Sequence, residues 1–219
     1  MQSYSRALKP SKKSITIVEN ANWLLTEDGQ LRQFGSAEIE LPQKVYRLYH
    51  FLSDLDLVLE NYQDDVSRIE AIVPLVRKLL LSSYWLQLEY DPPSPKTGWA
   101  VKFLYREYQY PLTVQMVTWQ PGTPSTIHNH GTWGIVALLG GQERNRFWQR
   151  AADSDSPHRI EPTGELLLNP GDVIGFTSGA IHAIESLGDE NAVSFNLYGV
   201  TDRDRRYKFD PDRQTAEKF

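Results

Sequence analysis

From Trp99 onward the apolar residues of this chain fall at every second position in short runs, and that period restricts its fold more than any other feature. Trp99, Val101, Phe103 and Tyr105 alternate with smaller or polar residues, and Leu112, Val114 and Met116 do so again. Side chains of an extended strand alternate between faces, so each run reads as a strand with one face turned to a core. Further short runs follow near 133–139, 144–149, 164–168, 173–176, 181–186 and 192–198, separated by Gly, Pro and Asp turns. A succession of short strands at this spacing folds into a double-sheet jelly roll or a barrel. The stretch 150–163 is the longest irregular piece and is expected to border the mouth.

The first ninety residues follow another rule. Residues 1–13 are basic and polar and read as a loose arm, and Ile15, Ile17 and the run Trp23 to Leu31 read as strand pieces around an Asp28-Gly29 turn. Then the spacing changes to threes and fours: Val45, Leu48, Tyr49, Leu52 and Leu55, followed by Val66, Ile69, Ile72, Val73, Val76, Leu79 and Leu80. Two amphipathic helices with their stripes against the β-layer account for this pattern. Pro74, inside the second stripe, should kink or restart that helix, because its ring blocks a hydrogen bond to the preceding turn. The breaker cluster Tyr90-Asp-Pro-Pro-Ser-Pro-Lys-Thr-Gly98 separates a mostly helical segment, 1–92, from a β-barrel domain with a C-terminal tail, 93–219.

Chemistry concentrates in three histidines. His128 and His130 stand two apart in Pro121-Gly-Thr-Pro-Ser-Thr-Ile-His-Asn-His130, so on an extended strand their rings point the same way. His182 ends the run Pro170 to His182, which reads turn, strand, turn and then the head of another strand. Three neutral imidazoles form a site for one divalent first-row ion, and spacing alone leaves iron, copper, nickel and zinc open.

The order of glycines around these histidines resembles the two motifs of the cupin superfamily. Gly122, five residues and His128-x-His130 open the first motif, Gly140-Gly141 closes it, and Gly171, Gly179 and His182 form the second. The resemblance implies a double-stranded β-helix. Where that family commonly has a glutamate as fourth ligand, this chain has Gly134. Three-histidine cupins without the glutamate are similar to the thiol dioxygenases, the cysteine dioxygenase and 3-mercaptopropionate dioxygenase group. Trp119-Gln-Pro-Gly122, His128-Asn-His-Gly-Thr-Trp-Gly134 and Ser194-Phe-Asn-Leu-Tyr198 resemble that group's signatures, over about residues 99–212. The resemblance implies one Fe(II) per chain held by His128, His130 and His182, a small thiol and O2 as reactants, and a sulfinate as product. It further implies a hydrogen-bonded row of Ser194, Asn196 and Tyr198 beside the ion, and substrate contacts from Arg106, Tyr105 and Trp133. Asn196 departs from the family, which has histidine there. An asparagine can bridge hydrogen bonds but cannot pass a proton near neutral pH.

Two other readings remain. The ion could be zinc activating water, which needs a general base, with Glu143 and Glu185 as candidates. The chain could also be a cupin that binds a small ligand without turnover. Composition removes more than it adds: 23 basic against 28 acidic residues, net charge −5, argue against nucleic acid. The absence of cysteine excludes disulfides, thiolate zinc sites and a cysteine cross-linked to Tyr198. No run approaches the length of a membrane span, and no apolar leader opens the chain, so a cytoplasmic monomer or homodimer is expected. The run Asp202-Arg-Asp-Arg-Arg206 reads as a solvated surface, and His50 and His158 as residues outside the site.

Overall fold

The structure, a computed structural model, describes residues 20–40, 43–108, 112–152 and 158–218. The expected arm at 1–13 and the strand piece at Ile15 and Ile17 lie outside these residues. In chain order the elements are β1 (Asn22–Leu25), β2 (Leu31–Gln33), α1 (Leu48–Asn61), α2 (Asp65–Ser82), β3 (Trp99–Arg106), β4 (Thr113–Trp119), β5 (Ile127–His128) and β6 (Gly134–Gly140). They continue with β7 (Gln142–Arg150), β8 (Ile160–Leu168), β9 (Val173–Phe176), β10 (Ile181–Leu187), β11 (Ala192–Tyr198), β12 (Tyr207–Asp210) and β13 (Thr215–Lys218).

The strands form two sheets, in the orders β2-β1-β9-β6-β11-β4-β3 and β13-β12-β5-β10-β7-β8. Their centres, β9-β6-β11-β4 and β5-β10-β7-β8, are antiparallel throughout, and the eight strands from β4 to β11 divide equally between them as the two faces of a roll. This is the double-stranded β-helix, a jelly roll, and the fold is mainly β with a helical layer, as the period-two runs require. The Asp28-Gly29 turn joins β1 to β2, and β1 adds to the roll in parallel beside β9, so the first sheet draws on both sides of the breaker cluster.

Alternation assigns the two faces of the seven-stranded sheet. Val114, Met116, Ile135, Ala137, Phe195 and Leu197 turn outward into one core with Phe51, Leu55, Ile69, Val73 and Val76 of the helices. Gln115, Val117, Val136, Ser194, Asn196 and Tyr198 turn inward and line the hollow of the roll. The outward set is wholly apolar, and the inward set is mostly polar. Helix α2 sits so close to β9 that a Cβ at Gly175 would come within 2.3 Å of Ile69 Cγ2.

Three local expectations change. Pro74 does not restart α2, which runs unbroken from Asp65 to Ser82. Pro74 lies on the exposed face, where the carbonyl it leaves unpaired can bond to water. Helix α1 begins at Leu48, so Val45 precedes it, and Tyr49 is 61% exposed; the stripe that packs is Leu48, Phe51, Leu52 and Leu55. Strands β7 and β8 are longer than the apolar runs and shorten the expected loop to 151–159. Pro162 and Gly164 hid the first half of β8 from the sequence, and its place at the sheet edge is what tolerates them. No helix among the described residues is long and apolar enough to cross a membrane.

Candidate metal centre

The register of the six-stranded sheet brings two of the histidines together. His128 ends the two-residue strand β5 and is the direct cross-strand partner of His182 on β10, so both rings stand on the inward face. The strand ends before His130, which was expected on the same strand, and a side chain fixes the turn instead. Asn129 is buried, donates from Nδ2 to Ser178 O (3.3 Å) and Arg205 O (2.7 Å), and accepts from Tyr207 N–H at 2.8 Å. With Asn129 pinned outward, His130 swings in. The ring centroids of the three histidines form a near-equilateral triangle of 4.8, 4.9 and 5.1 Å.

The outer nitrogens show which atoms face the shared point. His128 Nδ1 lies 2.9 Å from Thr126 O, which can only accept, so the proton sits on Nδ1 and Nε2 keeps its lone pair. His182 Nδ1 likewise donates to Asn145 Oδ1 at 3.1 Å, and its Nε2 lies 2.9 Å from His130 Nε2. Two nitrogens at that separation suit one ion about 2.0–2.1 Å from each at roughly a right angle. Ligand atoms of all three rings lie within 4.8 Å of one another, and among the described residues no carboxylate joins them. Burial drives all three imidazoles toward the neutral form, His128 to about 4 and His130 and His182 well below their ordinary range, and His128 further disfavours charge on the other two rings. Neutral rings with lone pairs turned inward are the protonation state a metal needs.

Phe176 packs on His182 at 4.3 Å between ring centroids, and Tyr198 stacks on His130 at 4.7 Å. Tyr198 heads a row: its hydroxyl donates to Asn196 Oδ1 at 3.0 Å, and Asn196 Nδ2 donates to Ser194 O at 3.1 Å and Oγ at 2.9 Å. Ser194, Asn196 and Tyr198 are therefore brought together beside the histidines. Burial, reinforced by the charge of Glu143, raises the Tyr198 hydroxyl far above the ordinary phenol range, so it keeps its proton.

A cavity of about 1140 Å³ opens above the triangle. Of the three expected substrate residues only Arg106 lines it, an exposed side chain at the rim with its guanidinium 5.2 Å from the Phe103 ring. A register shift between Phe103 and Tyr105 turns Tyr105 away to the helical core, with its hydroxyl on Glu107 at 2.6 Å. Trp133 is 4% exposed and belongs to that same core. His50 caps α1 through Arg47 N–H, and His158 lies against Tyr207, both apart from the triangle. Glu185 stands near Arg144 and Arg146, whereas Glu143 lines the cavity.

Arg206 was read as part of a solvated run and instead lines the cavity, near enough to Tyr198, His128 and His130 to act on their charge states. The missed signal was the alternation Tyr207, Lys208, Phe209, which forms β12 and pairs with β5 at Lys208↔His128. That pairing folds the C-terminal hairpin back beside the histidines. Gly134 lies against the ring of Tyr198. The volume that a side chain would take there is filled, since a Cβ would lie 2.7 Å from Tyr198 Cδ1.

No known family model matches the chain. Solved structures similar to it include a cupin superfamily protein from Desulfitobacterium hafniense, with 14% identity over 47% of this chain and 77% of that one at a TM-score of 0.37. A conserved protein with a double-stranded β-helix domain from Klebsiella pneumoniae gives 14% identity, 53% and 83% coverage and a TM-score of 0.40. An oxalate oxidase in complex with the substrate analogue glycolate gives 15% identity, 51% and 55% coverage and a TM-score of 0.37. Likenesses this distant carry nothing about substrate or reaction.

Proposed function

We propose that the protein is a mononuclear Fe(II) thiol dioxygenase, which takes a small thiol and O2 to the sulfinate. The observation that carries this reading is the donor set: three neutral imidazoles, with no carboxylate among them, at the floor of a hollow roll. Such a set leaves the full charge of a divalent ion uncompensated and favours an anionic ligand. Bound Fe(II) would supply acidification of the substrate thiol and the redox chemistry with O2.

The remaining steps belong to the chain. His128, His130 and His182 would hold the ion, with Thr126 O and Asn145 Oδ1 fixing the orientation of two of the rings. Phe176 and Val136 line the hollow and exclude water. Arg206 and Arg106 draw an anionic group inward, as a guanidinium suits a carboxylate. Ser194 O is an acceptor only, so it fixes the amide of Asn196 with Oδ1 toward Tyr198 and commits the phenolic proton to that bond. Tyr198 therefore positions a ligand by accepting from it, and Asn196 holds the proton without relaying it.

The test is oxygen uptake after anaerobic Fe(II) loading, with cysteine, 3-mercaptopropionate and cysteamine, and sulfinate identified by mass. Uptake with none of them at one iron per chain overturns the proposal.

A further inference from the structure

The proposed reaction leaves Glu143 without a task. This glutamate is 3% exposed, on the inward face of β7, and it lines the cavity. Its carboxylate accepts one hydrogen bond, from Asn145 Nδ2 to Oε1 at 2.8 Å, and among the described residues no basic side chain forms an ion pair with it. A carboxylate offers about four acceptor sites, and burying one with a single donor is unfavourable unless another partner arrives. Among the described residues the wall of the roll supplies none. Burial pushes the group up to about 7, opposed only by the Asn145 bond, so a partner that stabilises the ionised form has something to act on.

We infer that Glu143 receives the cationic end of the substrate, a primary ammonium group on a short chain, while the other end of the substrate lies at the histidines. The inference depends on the thiol reading for the anchored end alone. The Asn145 amide joins the two places, accepting from His182 Nδ1–H and donating to Glu143. Across that amide Glu143 Oε1 lies no more than about 8 Å from His182 Nδ1. Through the ring and a metal–nitrogen bond of about 2.1 Å, the carboxylate thus lies within about 12 Å of the shared point. A metal–sulfur contact near 2.3 Å and a charge-assisted hydrogen bond near 2.8 Å leave at most about 7 Å between sulfur and nitrogen, the span of a short carbon chain. Arg206 and Arg106 carry the opposite charge elsewhere on the lining, so a ligand with one cationic end has a defined direction in the cavity.

Zinc-loaded protein separates binding from turnover, and calorimetry with 3-aminopropanethiol and 1-propanethiol reads the ammonium group directly. Wild type should bind the aminothiol roughly tenfold or more tightly than the alkanethiol. Glu143→Gln keeps an acceptor for Asn145 and removes the charge; it should abolish that gap and leave zinc content and 1-propanethiol affinity unchanged. A gap that persists in Glu143→Gln, a wild type without one, or a variant that loses zinc and both thiols alike overturns the inference. Should Glu143→Gln fail to fold, the wild-type series cysteamine, 3-aminopropanethiol and 5-aminopentanethiol decides. A preference over the matched alkanethiols that does not vary with length overturns it. Oxygen uptake with iron reports separately: sulfinate formed with no dependence on Glu143 overturns the subsite alone. Ammonium binding that depends on Glu143 without any sulfinate overturns the reaction alone.

Discussion

Gly134→Ala tests the packing around Tyr198 with a single methyl group. Gly134 and Tyr198 are cross-strand partners on β6 and β11, and the added Cβ would lie 2.7 Å from Cδ1 and 2.8 Å from Cε1 of the ring. Carbon atoms rest about 3.5–4.0 Å apart, so the ring must retreat by about 1 Å. It has nowhere easy to go, because it stacks on His130 and its hydroxyl is held by Asn196. Overpacking of this kind costs about 1–3 kcal/mol, and losing the Tyr198 to Asn196 bond adds about 1 kcal/mol. Gly134 is not among the positive-φ glycines, so alanine meets no backbone strain and returns about 0.4–1 kcal/mol through the unfolded chain. The net loss is about 2 kcal/mol, a fall in Tm of about 4–8 °C for a chain of this size. Calorimetry of the metal-free protein measures it, and oxygen uptake after iron loading should fall with the displaced hydroxyl. The cause is checked by repeating the change in a Tyr198→Leu background, where alanine should cost little. An equal cost in both backgrounds, or an unchanged Tm in the first, refutes the reasoning.

Other perturbations follow from the same geometry. His128→Ala, His130→Ala and His182→Ala should each abolish stoichiometric metal with the fold retained by circular dichroism, and Asn145→Leu should weaken metal affinity about 10–100-fold by releasing His182. In metal-free protein the histidines' folded values lie below the unfolded value near 6.5, so stability is full above that pH and falls as pH drops through it toward about 4; His128 alone accounts for at most about 3 kcal/mol. Glu143, raised from 4.5 to about 7, runs the other way, its stability contribution present below pH 4.5 and lost by about pH 7. Urea titrations should therefore show Glu143→Gln more stable than wild type at pH 8 but not at pH 4.5, and equal differences at both would contradict the assignment. Arg77 is buried and donates to Asn22 Oδ1, Gly171 O and Ala21 O, so Arg77→Leu should cost about 3 kcal/mol in the same titrations, and a loss under 1 kcal/mol would show those acceptors to be satisfied otherwise.

The sequence told most where one physical rule acted alone. Period two exposed the strands of the roll, and the spacing of threes and fours marked α2, whose stripe from Ile69 to Leu80 is buried throughout. The histidines were legible because no other residues offered a common ligand set. What escaped was decided by contacts between distant residues. The rule of two places His128 and His130 on one strand, but β5 ends at His128, and Asn129, bonded to residues 178, 205 and 207, turns the chain. Tyr105 alternates correctly in sequence, yet a bulge that nothing in the sequence marks reverses its face. Arg206 sits in a run of alternating charge, and only the return of β12 beside β5 carries it to the cavity.

The helical layer has a physical reason to be where it is, beyond covering apolar surface. Strand β9 carries Phe176, which packs against His182, and the turn after β9 leads into β10, which bears that histidine. Helix α2 grips both ends of this segment. Near its C-terminal half Arg77 binds Gly171 O in the turn before β9, and at its N-terminus Asp65 Oδ2 accepts from Ser178 N–H at 2.8 Å and also from Ser178 Oγ, in the turn before β10. Between these points Ile69 lies over Gly175, where any side chain on the strand would force helix and sheet apart. Three attachments along one short strand fix its height in the roll and so the depth of Phe176 and His182. The opposite wall needs no such clamp, because His128 is paired on both sides, with His182 of β10 and Lys208 of β12. Rigidity at the histidines is therefore assembled from two sources, a helix pressing from outside and a C-terminal strand pairing from the side, and each lies far in sequence from the residues it positions.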